Sequence, residues 1–132
     1  MKALICGAGI SGLTLAWHLE RAGWQVELVE RGPAFRDGGY LVDFYGAGYD
    51  AAERMGLTAR LATLHHRITE LGYLDGQGRQ VSRFALPPSF DRMVTVLRGD
   101  LARTIADRVA ASIRDATTVE SVDQHDEQVT VG

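Results

Sequence analysis

The stretch ALICGAGISGLTLAWHLERAGWQVELVE, residues 3–30, changes its periodicity twice. Ala3 to Cys6 is a short apolar run that ends in glycine, as a buried parallel strand does. From Ile10 onward, Leu13, Ala16, Trp17, Leu19 and Glu20 follow helical spacing, and Gly23 stands where a helix C-terminus favours a residue tolerant of positive φ. Val26, Leu28 and Val29 then make a second strand, which Glu30 and Arg31 close before Gly32-Pro33 turns the chain. Strand, helix and strand within residues 2–30 is a βαβ unit, and such crossovers are right-handed in nearly all cases.

The turn inside that unit carries chemistry. Gly7-Ala8-Gly9-Ile10-Ser11-Gly12 fits GxGxxG, a weak pattern alone but a specific one between a strand and a helix. Gly7 permits the tight turn out of the strand. Gly9 lacks a side chain, so backbone approaches a pyrophosphate, and Gly12 lets the helix lie close to the sheet. Ile10 and Ser11 open the helix, whose free N–H groups and positive dipole end suit a diphosphate. Eighteen residues after Gly12, Glu30 ends the second strand, where a carboxylate accepts hydrogen bonds from both hydroxyls of an adenosine ribose. Its charge repels a 2′-phosphate, which disfavours NADP at this site and leaves FAD and NAD. Arg31 stands beside it and joins the candidate set. Cys6, just before the turn, is expected to be a small buried hydrophobe.

Further along, residues 36–66 read as a loop at Arg36-Asp37-Gly38-Gly39, a short strand at Tyr40 to Phe44, a turn flanked by Gly46 and Gly48, and two helices separated by Gly56. Residues 70–83 form a hairpin in which Asp75-Gly76 supplies the positive φ of a tight turn. Residues 94–111 are a strand followed by a helix over 100–111, with Leu101, Ile105 and Val109 on one face. Residues 117–132 alternate as a terminal hairpin.

Composition narrows the function classes. The chain has 132 residues and a formal net charge of −3, with its basic residues scattered among acids, so a nucleic-acid footprint is not expected. One cysteine excludes an internal disulfide and offers no zinc spacing, so no metal site is indicated and a reducing cytoplasm is the simplest compartment. No apolar run approaches the roughly 18 residues of a membrane span. One globular unit is the expected domain count.

Four segments together resemble the FAD-dependent aromatic-hydroxylase type of flavoprotein monooxygenase, which also includes tetracycline-inactivating enzymes. GAGISGLTLAWHLERAGWQVELVER is similar to its amino-terminal FAD fingerprint, and RDGGYLVDFYGAGYDAAERMGL to the loop, strand and helix that follow. LGYLDGQGRQV is similar to its hairpin, and VLRGDLARTI to its Arg-x-x-Leu segment. The resemblance implies an α/β, Rossmann-like three-layer fold with a parallel sheet and small antiparallel hairpins, present here in part. It implies FAD as cofactor, with NAD(P)H as a transient electron donor and dioxygen used to hydroxylate an aromatic or polyketide-like small molecule. The protein's share of such chemistry is positioning and electrostatics. Arg98 matches an arginine that lies against the flavin cofactor near its diphosphate and ribityl part, and Arg36 matches one before the glycine pair that also faces it. Asp43, a polar residue in an otherwise apolar strand, is a candidate for a place near the flavin ring. No residue matches a catalytic acid or base. Two later fingerprints of that family, an Asp-Gly and a Gly-Asp segment, do not occur, so the expectation is an amino-terminal portion that self-associates or pairs with a complementing chain. The rival readings are a non-catalytic dinucleotide-binding module and the Rossmann unit of an NAD-dependent oxidoreductase.

Overall fold

The computed structural model describes residues 1–35, 39–86 and 92–132. Along the chain run β1 (Lys2–Cys6), α1 (Ile10–Arg21), β2 (Gln25–Val29), β3 (Leu41–Tyr45), α2 (Ala47–Arg54), α3 (Thr58–Leu64), β4 (Glu70–Leu74), β5 (Gln80–Ala85), β6 (Met93–Leu97), α4 (Arg98–Ala106), β7 (Ser112–Arg114), β8 (Val122–Gln124) and β9 (Val129–Val131). They form two compact units, residues 1–38 with 99–132, and residues 39–98. The fold is mixed α/β with one parallel sheet and small antiparallel ones.

In the first unit β1, β2 and β7 are parallel neighbours in that order. Ile5 pairs with Leu28 across β1 and β2, and α1 covers the face that carries them. Leu13, Ala16 and Leu28 are completely buried there. Each such leucine contributes about 1.5–3 kcal/mol relative to an exposed one. The helix ends as Gly23 foretold: Gly23 takes φ +80°, its N–H reaches Glu20 O, and the Trp24 N–H reaches Leu19 O. That pair of bonds satisfies carbonyls the last turn leaves orphaned.

Two expectations are corrected in this unit. Cys6 is exposed, because it points to the sheet face opposite Ile5 and α1. The helix expected over 100–111 stops at Ala106. Its continuation is intercepted: the Ala110 and Ala111 N–H groups donate to the Glu20 carboxylate at 3.1 and 2.6 Å. The chain thereby released extends as β7, a strand the apolar pattern did not announce, and pairs with β2. Arg114 of β7 meets Glu27 of β2 at 2.8 Å. At the end of the chain β8 and β9 pair antiparallel, with Val122 opposite Val131.

In the second unit β3 and β6 are antiparallel, with Asp43 opposite Thr95. Ala52, Met55, Leu57, Leu61, Val94 and Val96 are its buried apolar residues. Gly56 takes φ +69°, with the Gly56 N–H on Glu53 O and the Leu57 N–H on Ala52 O, so α2 ends by the same device as α1. Gly48 lies inside α2 instead of flanking a turn. Arg92 holds α2 from outside, pairing with Asp50 and Glu53 and lying 4.6 Å above the Tyr49 ring.

The β4–β5 hairpin forms, but its left-handed residue is Gly78 (φ +77°) and not Gly76. Asp75 explains the shift. Its Oδ1 accepts the Gln77 and Arg79 N–H groups, both at 2.9 Å, so the side chain shapes the turn and leaves the special φ to a later position. These bonds, the Arg79 backbone N–H foremost, hold the Asp75 carboxyl below the ordinary aspartate range.

Candidate functional site

The glycine-rich turn is built by two constraints of different kinds. Gly7 takes φ +105° with open space where a Cβ would stand, so conformation alone calls for glycine. Its N–H donates to Val29 O at 2.7 Å and carries the β1–β2 ladder one step beyond the strand. At Gly12 the constraint is contact: a Cβ would lie 1.9 Å from Gly7 O and 3.3 Å from Ile5 Cγ2. Helix α1 therefore rests directly on the turn.

Gly9 is the N-cap of α1, with φ −80° and ψ −178°, a conformation open to any residue. Backbone strain does not demand glycine there. The first helical bond is Leu13 N–H to Gly9 O at 2.9 Å, so the N–H groups of Ile10, Ser11 and Gly12 precede the helical ladder. No acidic residue occupies the first turn to neutralise that positive end.

Glu30 closes the other side. Its Oε2 accepts the Ala8 N–H at 3.0 Å and its Oε1 the Gly32 N–H at 2.8 Å, so the carboxylate reaches from the end of β2 back to the turn. Its backbone is fixed by bonds to Arg114 O and from the Thr117 N–H, both at 2.9 Å. Ala8 and Gly32 are parts of this arrangement that the motif does not reveal. Gly32 has a structural signal, since a Cβ there would stand 3.2 Å from Glu30 Oε1. A carboxylate offers about four lone-pair sites, so backbone contacts and ligand hydroxyls are compatible on one group.

Thus Gly7, Gly9, Ile10, Ser11, Gly12 and Glu30 lie together at one end of β1 and β2. Arg31 follows Glu30 and is exposed. Arg36 lies outside the described residues. Arg98 belongs to the second unit, half-buried at the junction of β6 and α4, with its N–H on Tyr40 O at 3.0 Å. Asp43 sits on β3 of the same unit and accepts the Thr95 hydroxyl. An open groove of about 1180 Å³ between the parallel sheet and the β8–β9 hairpin contains none of the glycine-motif residues and is separate from this site. Among the described residues no helix is long and apolar enough to cross a membrane, and no group of three potential metal ligands occurs.

The turn fits an adenine dinucleotide: a helix start whose first N–H groups precede the helical ladder, a glycine as its N-cap, and a strand-end carboxylate. Residues 2–81 match the model of the FAD dependent oxidoreductase family, and the chain belongs to that family. Within it, the similarity is to monooxygenases. A flavin-dependent monooxygenase from an unknown prokaryotic organism is 31% identical over 98% of this chain and 35% of its own length. The flavin-dependent monooxygenase eupH of Phoma sp is 34% identical over 81% of this chain and 26% of its own. Among solved structures, tetracycline destructase Tet(51) superposes with a TM-score of 0.83 at 31% identity, covering 98% of this chain and 34% of that one. CtdE in complex with FAD and substrate 4, at 18% identity and a TM-score of 0.78, shares the fold over 99% of this chain and 34% of that one. The chain spans between about a quarter and about a third of the length of these relatives.

Proposed function

We propose that this chain is the FAD-binding portion of an NAD(P)H-dependent flavoprotein monooxygenase that hydroxylates an aromatic or polyketide-like small molecule. The observation that carries this reading is the Gly7–Gly12 turn locked against α1 and tied to Glu30, on a chain similar over nearly its whole length to flavin-dependent monooxygenases. FAD, when bound, supplies the redox chemistry. The residues here bind and orient. Ile10, Ser11 and Gly12 donate backbone N–H groups to the diphosphate, and Gly9 admits it. Glu30 accepts from the adenosine ribose hydroxyls, and Arg31 flanks that end. Arg36 and Arg98 supply permanent positive charge for phosphate or ribityl oxygens, Arg98 by a guanidinium fork suited to paired acceptors. Asp43 is assigned to the neighbourhood of the flavin ring.

With a single cysteine, the chain fits a cytoplasmic enzyme whose partner is a small-molecule substrate, completed by further sequence, a complementing chain or a second copy. FAD titration of the purified chain tests the reading. Bound flavin should give a yellow protein with quenched flavin fluorescence; a colourless chain that ignores added FAD opposes it. Oxygen-dependent NADPH consumption by the chain itself would show that no further segment is needed, and FAD binding without turnover would mark it as a binding module.

A further inference from the structure

We propose that Thr95 is a positioning residue that aims the Asp43 carboxylate, held in its turn by the segment His65-His66. This rests on the assignment of Asp43 under the proposed function and goes beyond it.

The argument begins with strand parity. In an antiparallel pair, opposed residues alternate between those that exchange backbone hydrogen bonds and those whose side chains come closest. The Arg98 N–H donates to Tyr40 O, so 40 and 98 form a hydrogen-bonded pair. Counting inward along the register, 42 with 96 is the next such pair, which makes Asp43 and Thr95 a close side-chain pair. The Thr95 backbone groups must then point away from β3. They do: the Thr95 N–H donates to His65 Nδ1 at 3.0 Å, and Thr95 O accepts the His66 N–H at 2.7 Å. An imidazole stands where a third strand would offer a carbonyl. Accepting at Nδ1, His65 carries its proton on Nε2.

Thr95 is 1% exposed and flanked in β6 by buried Val94 and Val96. A buried hydroxyl costs stability unless it is bonded, and its partner is Asp43 Oδ1. Asp43 itself is exposed on β3. One carboxylate oxygen is thereby held by the neighbouring strand, while Asp43 remains exposed. A salt bridge would also anchor a carboxylate but would neutralise it. A neutral hydroxyl fixes the rotamer and leaves the full negative charge for an N–H or O–H donor on the ligand.

Thr95→Val keeps the β-branched shape and removes the hydroxyl; Thr95→Ser keeps the hydroxyl. In the ligand-free chain, three-bond couplings should show one χ1 rotamer for Asp43 in the wild type and in Thr95→Ser, and averaging in Thr95→Val. FAD affinity should fall about three- to tenfold in Thr95→Val, as one lost hydrogen bond implies. Asp43→Asn should lower it comparably, the double variant no further than Asp43→Asn, and Thr95→Ser should restore it. A single Asp43 rotamer in Thr95→Val overturns the inference. So does unchanged affinity in that variant, or a double variant whose losses multiply. A wild-type chain that does not bind FAD defeats the proposed function instead, and the couplings still decide whether Thr95 aims Asp43.

Discussion

The glycine turn and the β3–β6 pair place polar groups by opposite means. At the turn the donors are backbone N–H groups, and the side chains that matter are those missing at Gly7, Gly9 and Gly12. In the β3–β6 pair the backbone is ordinary ladder, and an aspartate, a threonine and a histidine do the placing. The first arrangement has no room for an added atom at Gly12. The second tolerates atoms of the right shape and fails when a hydrogen bond is deleted.

The sharpest way to break that contrast is Gly12→Ala. Its methyl would sit 1.9 Å from Gly7 O, so turn and helix must separate. Thermal unfolding should show a loss above about 3 kcal/mol, with flavin binding abolished; near-wild-type stability would mean the contact is soft. Gly9→Val comes next, and it should divide function from fold. The backbone at Gly9 suits any residue, so circular dichroism should stay native while FAD affinity falls at least about a hundredfold, in keeping with blocked approach to the diphosphate.

Glu30→Ala strips the carboxylate from the Ala8 and Gly32 N–H groups and should cost about 1–3 kcal/mol in chemical denaturation, besides weakening FAD binding. In the other region, Asp43→Ala leaves the buried Thr95 hydroxyl without its acceptor and should cost about 1–2 kcal/mol, whereas Asp43→Asn, which retains an acceptor oxygen, should cost less. Equal losses in the two variants would show that the hydroxyl finds another partner. The smallest effect belongs to Asp75, outside both regions. Because the fold lowers its pKa, its carboxylate supports the hairpin above the ordinary aspartate range, and that support is lost as pH falls through and below it. Amide exchange at Gln77 and Arg79 should quicken with acid after allowance for intrinsic rates, and Asp75→Asn should flatten the change.

What was legible in the sequence follows the same division. The βαβ unit could be read because glycines at fixed offsets and a change of period are local signals, and Gly12 and Gly23 act as their positions imply. The reach of Glu30 to Ala8 could not, because it depends on strand ends that only the parallel pairing of β1 and β2 brings together. The helix over 100–111 was misjudged for a similar reason. Its apolar spacing continues to Val109, but the acceptor that ends it is Glu20, some ninety residues away. Asp43 stood out as a polar residue in an apolar strand, while Thr95 and His65 did not, since nothing in their own neighbourhoods marks the pairing that joins them.

The tie between Glu30 and Ala8 also bears on time. A turn stitched to the neighbouring strand end by the protein's own carboxylate has its shape before any ligand arrives. A dinucleotide meeting it need not wait for a rare open or folded form. Stopped-flow mixing with FAD should then show one phase whose rate rises linearly with concentration, without the plateau that a slow rearrangement imposes. Removing the Glu30 carboxylate should introduce that plateau, turning a site that is encountered into one that must first be assembled.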